Sequence, residues 1–195
     1  MIPVYLNNLL LNEVFATYCK DVDEYIQSSN NDEHIVDSET EKISGFVTDS
    51  FGHIEDASGK YFSVKNPTKL PYVLLQIDNG IIKSSKIKKC DCAIANDTQL
   101  CFIEFKANAY SSNENTIQGN YQKAIKQLTT TIGLFERLYD AKRVDKLKKR
   151  KNVEAFICFR QGYPKTTSSQ MNYQVAFAST NNGIPLSFKR EKVLL

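Results

Sequence analysis

Lys89-Cys90-Asp91-Cys92-Ala93-Ile94-Ala95, followed after Asn96-Asp97-Thr98 by Leu100-Cys101-Phe102-Ile103-Glu104-Phe105-Lys106, sets charged residues inside two short apolar runs. Polar turn residues bound each run, which is the pattern of a buried strand, and the linker is short enough for a hairpin. Side chains alternate faces along a strand. Asp91, Ala93 and Ala95 therefore share one face of the first strand, and Phe102, Glu104 and Lys106 share one face of the second. When those faces coincide, two carboxylates and an ammonium converge, and the small side chains of Ala93 and Ala95 leave room for a ligand. Two carboxylates hold a hard divalent cation, Mg²⁺ or Mn²⁺, through oxygen, with positions left for water and a phosphate. Such an ion acidifies water and polarises a phosphoryl group, while a neighbouring lysine positions the water or offsets charge on the phosphorane.

An Asp followed at a distance by Glu-x-Lys resembles the motif of the PD-(D/E)XK nuclease superfamily, with Cys90 standing where the name has proline. After Lys106 come a polar loop, an amphipathic segment from about Thr116 to Tyr139 and an apolar strand from Val153 to Phe159. That order resembles the superfamily's αβββαβ core. The run from Ile77-Asp78-Asn79-Gly80 through Asp91, Glu104, Lys106 and Ala124-Ile125-Lys126-Gln127-Leu128 is similar to a group of small bacterial proteins of this type. The likeness covers roughly Tyr72 to the C-terminus. It implies an α/β fold of restriction-endonuclease-like type, with a mixed central sheet flanked by helices, to which the glycine-punctuated segment 43–66, outside the likeness, adds an N-terminal β-hairpin decoration. It also implies Asp91 and Glu104 as metal ligands, with Lys106 assisting the attacking water. In the superfamily the first core helix often donates a further acid to the metal, for which Glu13 is the candidate, with Asp21, Asp23 and Glu24 also available and a solvated surface acid as the plain alternative. A glutamine on the later helix often faces the site, for which Gln127 is the candidate, against the alternative of an exposed helix glutamine.

Charge is unevenly spread. Residues 1–60 hold 12 acids and 3 bases, whereas residues 61–195 hold 10 acids and 22 bases. The motif lies in the basic part, and a positive surface around a metal site suits a polyanion, because neutralising phosphates and releasing counterions supplies most non-specific affinity. Lys83, Lys86, Lys88 and Lys89 form one basic cluster, and the residues from Lys142 to Lys151 form another. The second has a plain alternative as a solvated complement to the preceding helix's C-terminal dipole.

The 195 residues are expected to form one nuclease-like domain, with an acidic helix-and-hairpin region over 1–70 and a basic catalytic core over 71–195. Residues 7 to 28 read as a helix, 29–42 as a polar, acidic loop, and 43–66 as one or two hairpins punctuated by glycines. Tyr72 to Asp78 reads as the first core strand, closed by the turn signal Asn79-Gly80. Asp78 is either a further acid at the metal or a support for that turn. The stripe Tyr121, Ile125, Leu128, Ile132 and Phe135 predicts a helix packed on the sheet. Ser168 to Thr180 reads as a helix, with spacing also compatible with a strand, and Ile184 to Phe188 as a short edge strand.

No apolar run is long enough to span a bilayer and the N-terminus lacks a basic leader, so a cytoplasmic protein is expected. Cys19, Cys90, Cys92, Cys101 and Cys158 make an odd number, which suits reduced thiols, and alternation sets Cys90, Cys92 and Cys101 opposite Asp91, where a sharper reading makes them metal ligands. His34 and His53 lie in polar surroundings that suit neither a zinc site nor a nucleophilic triad. The expected function is Mg²⁺- or Mn²⁺-dependent endonucleolytic hydrolysis of nucleic acid, with DNA as substrate, and the resemblance to restriction enzymes implies a homodimer by analogy. The alternative is an inactive nuclease-like binding or regulatory subunit of a defence or mobile-element complex, whose acidic N-terminal region contacts a protein partner. Binding without turnover separates the second from the first.

Overall fold

The computed structural model describes residues 3, 6, 15–48, 61–106, 109, 112–141, 152–160 and 167–195. Their elements are β1 (Ile26–Ser29), β2 (Glu33–Ser38), β3 (Ile43–Phe46), β4 (Tyr61–Lys65), β5 (Tyr72–Gln76), β6 (Cys92–Ala95), β7 (Gln99–Lys106), α1 (Glu114–Ala141), β8 (Asn152–Phe159), α2 (Thr167–Thr180), β9 (Leu186–Ser187) and β10 (Glu191–Val193). The larger sheet runs β1-β5-β6-β7-β8-β9 and the smaller β10-β4-β2-β3. Both are mixed. In the larger one β5, β6 and β7 form an antiparallel meander, and α1 carries the chain to β8, parallel to β7. Among the described residues no helix is long and apolar enough to cross a membrane.

Every residue of β5 and β6 is buried because the larger sheet is covered on both faces. Val73, Leu75, Ala93, Ala95, Leu100 and Phe102 enter the core under the helices. Tyr72, Leu74, Cys92, Ile94, Cys101 and Ile103 enter the core shared with Ile35, Phe62 and Val64 of the smaller sheet. A strand with no wet face reads as a continuous apolar run, which is why these segments were legible as strands. Alternation then sends Glu104 toward the helices, since it lies two residues beyond Phe102. On α1, Tyr121, Leu128, Ile132 and Phe135 are at most 1% exposed, and the Phe135 ring packs edge-on to Phe102 at 5.1 Å between centroids. The helix spans two residues more at each end than the spacing predicts, and β8 gains one residue at its start. The 168–180 segment is helical, with the short parallel strand β9 after it at the sheet edge.

Three expectations for the N-terminal part are corrected. The helix over 7–28 does not reach its predicted end: Val22–Tyr25 is a 3-10 turn, and Ile26–Ser29 is a strand paired antiparallel with β5, Ile26 opposite Leu75. Backbone pairing with β5, together with the bond from Phe46 N–H to Gln27 Oε1 at 2.9 Å, holds that segment extended. The acidic loop over 29–42 contains β2, an inner strand of the smaller sheet, anchored by the buried Ile35 and Val36 amid its charged residues. The strands expected between 43 and 66 exist as β3 and β4, but each pairs with β2 rather than with the other. Residues 49–60, the 142–151 basic cluster and Glu13 lie outside the described residues.

The Asn79-Gly80 turn that closes the β5 segment is real. Asn79 adopts φ 57°, and a Cβ on Gly80 would sit 2.2 Å from the Gln76 carbonyl oxygen, so only glycine fits. Asn79 Nδ2 donates to the Lys42 carbonyl at 2.9 Å, and Gln76 Nε2 to the Ser44 carbonyl at 2.8 Å. These bonds tie the two sheets together beside the charged residues described next.

Candidate active site

β6 and β7 pair antiparallel with Cys92 opposite Ile103 and Ala93 opposite Phe102. One step beyond that register Asp91, just ahead of β6, comes beside Glu104, whose charge acts on it. Asp91 is 8% exposed and Glu104 1% exposed. Asp91 is anchored at both ends: Oδ2 accepts the Phe105 N–H at 2.5 Å, and its carbonyl accepts the N–H groups of Ile77 and Asp78, each at 3.0 Å.

Lys106 donates to Glu104 Oε1 in a short ion pair, and to Gln127 Oε1 on α1 at 3.0 Å. Gln127 Nε2 in turn donates to the Lys89 carbonyl at 2.9 Å. One turn on, Thr131 Oγ1 accepts the Cys90 N–H at 2.8 Å and donates to the Gln127 carbonyl at 2.9 Å. A single helix face therefore fixes both the lysine and the chain leading into β6. Asp91, Glu104, Lys106 and Gln127 come together as the sequence predicts. Asp78 pairs with the buried Lys89, Nζ to Oδ1 at 2.9 Å.

Electrostatics at the pair are unusual. Burial pushes the Glu104 carboxyl up to about 8, against the lowering effect of the Lys106 ammonium. The Asp91 carboxyl is held well above the usual carboxylate range, first by burial and then by the Glu104 charge, while the Phe105 N–H works in the opposite direction. The second oxygen of Glu104, Oε2, is buried with no hydrogen-bond partner among the described residues. A buried carboxylate oxygen left unpaired costs about 1–3 kcal/mol or more, so its retention calls for a further partner. A hard divalent cation meets that need, since it binds oxygen and supplies the charge that would restore both acids to their ionised forms. The residues present thus fit such an ion, with Asp91 and Glu104 as the donors. Among the described residues no group of three His, Cys, Asp or Glu side chains is set for metal binding.

Two sequence expectations are corrected here. The room beside Ala93 and Ala95 is filled, because both are buried within the helix-side core where Phe102 lies opposite Ala93. Cys90, Cys92 and Cys101 do not share a face: Cys90 joins the helix-side core, while Cys92 and Cys101 join the core between the sheets. All five cysteines are buried free thiols. Cys90 departs from strict alternation because it precedes β6, where its N–H turns to Thr131.

Asp37 on β2 was not anticipated. It is exposed, accepts the Ser44 hydroxyl at 3.1 Å, and adds its negative charge to the upward push on both Asp91 and Glu104. Reading 29–42 as a loop concealed it, although the adjacent apolar residues Ile35 and Val36 were a signal for a strand. No family model matches the chain, and neither a curated protein nor a solved structure matches it.

Proposed function

We propose that this protein is a divalent-metal-dependent nuclease that hydrolyses phosphodiester bonds of nucleic acid, with DNA as its substrate and Asp91, Glu104 and Lys106 as its catalytic residues. The observation that carries this reading is the unpartnered, buried Oε2 of Glu104 beside Asp91. The order β5, β6, β7, α1, β8 supports a restriction-endonuclease-like core, and the free thiols support a reducing, cytoplasmic setting.

Asp91 and Glu104 would hold Mg²⁺ or Mn²⁺, which when bound supplies an acidified water and polarises the phosphoryl group. The chain's own residues do the rest. The Lys106 ammonium is steered by two acceptors, Glu104 Oε1 and Gln127 Oε1, so it meets a phosphate with little reorganisation. At that position it orients the nucleophilic water and offsets negative charge developing on the phosphoryl oxygens. Gln127 is a positioning residue, acting through Lys106 and through the Lys89 carbonyl. Asp91 and Glu104 charge on metal binding, so occupancy should release protons below about pH 8.

The test is cleavage of supercoiled plasmid and of single-stranded DNA and RNA with Mg²⁺ or Mn²⁺, beside a chelator lane and Lys106→Ala protein. Metal-dependent cutting that the variant lacks is the expected result. Intact substrate in every lane, or full activity in the variant, overturns the assignment.

A further inference from the structure

Gln127, the partner of Lys106, also lines a cavity of about 530 Å³, within the size range of small-ligand sites. Its lining includes Lys88, Lys89, Lys123, Lys126, Asp78 and Gln127. Lys89 is buried and already committed, to Asp78 at 2.9 Å and to the Ser84 carbonyl at 2.8 Å. Lys88, Lys123 and Lys126 are exposed, and none has an ion-pair partner among the described residues. Lys123 and Lys126 are three residues apart on α1 and so project from the same side of the helix. Like charges gathered around one concavity repel one another, and an anion in the cavity relieves that cost.

The lining also says what kind of anion fits. Among the described residues Ile87 is its single apolar side chain and no aromatic ring lines it. A nucleobase therefore finds no stacking platform, while a phosphate finds several ammonium donors. Gln127 joins the cavity to the site, because the amide that lines it also accepts from Lys106. We infer that this cavity binds a phosphate group of the polynucleotide strand lying against Glu104 and Lys106, by charge alone and without reading a base. The inference rests on the nuclease reading for the identity of that strand. The phosphate is either an internal diester or the monoester at a strand end, two sources of one chemistry.

The test is equilibrium binding, by fluorescence anisotropy in chelator, of oligothymidylate and of a mixed-sequence strand, each with a 5′-phosphate or a 5′-hydroxyl, across a salt series. The full-length protein is compared with the double variants Lys123→Gln/Lys126→Gln and Lys123→Arg/Lys126→Arg. Both positions are exposed, and matched melting curves verify folding. The Gln pair is expected to weaken binding about tenfold for both sequences and to flatten the salt slope by about one to two, with the Arg pair restoring both. Equal losses on both 5′ ends identify an internal diester, and a loss confined to the phosphorylated strand identifies the terminal monoester. Unchanged affinity and slope in the Gln pair overturn the inference, as do a loss on one sequence only, wild-type protein that binds neither strand, and competition by polyglutamate as strong as by oligonucleotide. Because no metal or turnover enters, the two readings fail separately: an unchanged Gln pair leaves cleavage standing, and lost binding in a protein that never cuts leaves the cavity standing.

Discussion

Two Lys-Glu pairs with their carboxylates on the larger sheet look alike in chemistry and differ in what surrounds them. Lys192 on β10 pairs with Glu154 on β8, clipping the smaller sheet to the larger, and the Glu154 side chain remains 25% exposed. Lys106 pairs with Glu104 within β7, and there the carboxylate side chain is only 1% exposed, faces Asp91, and keeps one oxygen without a partner. Bulk water reaches the carboxylate of the first pair, whereas Glu104 Oε2 is buried with no hydrogen-bond partner among the described residues, and the proposed reading gives that place to a cation. The difference teaches that a salt bridge alone says little about role, whereas a salt bridge that leaves a buried oxygen orphaned points to a missing partner.

The sharpest way to break the comparison is to delete one member of each pair. Glu104→Ala or Lys106→Ala is expected to lower metal-dependent cleavage by about 10²–10³-fold, whereas Lys192→Ala leaves the rate near wild type. Equal losses in all three variants, measured as plasmid nicking rates, would erase the distinction between the pairs.

A second contrast is in pH. The Glu104 carboxyl is raised in the folded protein, from an ordinary 4.5 to about 8, so its contribution to stability is fully present below about pH 4.5 and lost as the pH rises through about 8. The raised Asp91 carboxyl acts in the same direction. Metal-free protein should therefore lose stability over that window, by an amount on the order of a few kcal/mol, and Mg²⁺ or Mn²⁺ should restore it. Glu104→Gln, which keeps the neutral shape, should flatten the profile, while Glu154→Gln should not. Urea unfolding at a series of pH values in chelator is the measurement, and an unchanged slope in Glu104→Gln would refute this account.

Gln127→Ala sharpens the comparison on the helix side. Among the described residues Lys192 has Glu154 as its side-chain acceptor and no glutamine in the place of Gln127, whereas Lys106 loses a 3.0 Å acceptor. A fall of about tenfold in kcat with KM little changed is expected, partly rescued by Gln127→Glu. A change in KM alone would make Gln127 a binding residue instead. Smallest of all, Lys192→Ala should cost about 1 kcal/mol or less in thermal stability, the usual scale for a partly exposed ion pair.

The meander and the crossover to β8 were legible because both faces of the larger sheet are covered, which writes its strands as apolar runs. The acid pair was legible for the same reason, since a charge inside such a run is conspicuous. The smaller sheet was harder. On β2 the acids Glu33 and Asp37 flank the buried Ile35 on one and the same face, so the segment reads as polar loop until the larger sheet's second face demands a cover. Segment 26–29 shows the same limit, since its extended form depends on pairing with β5, far along the chain.

By itself the sequence determined the spacing that sets Asp91, Glu104 and Lys106 on facing sides of a hairpin, the apolar stripe that seats α1, and the excess of bases in the second part. Alternation and helical periodicity are local rules, readable without knowing the partner. Only the tertiary structure decided that Glu104 Oε2 is buried without a partner, that Gln127 is the residue of α1 that meets Lys106, and that Lys123 and Lys126 join Lys88 and Lys89 around one cavity. Those facts depend on how a helix and a strand more than twenty residues apart are set against each other, and core packing supplies that information.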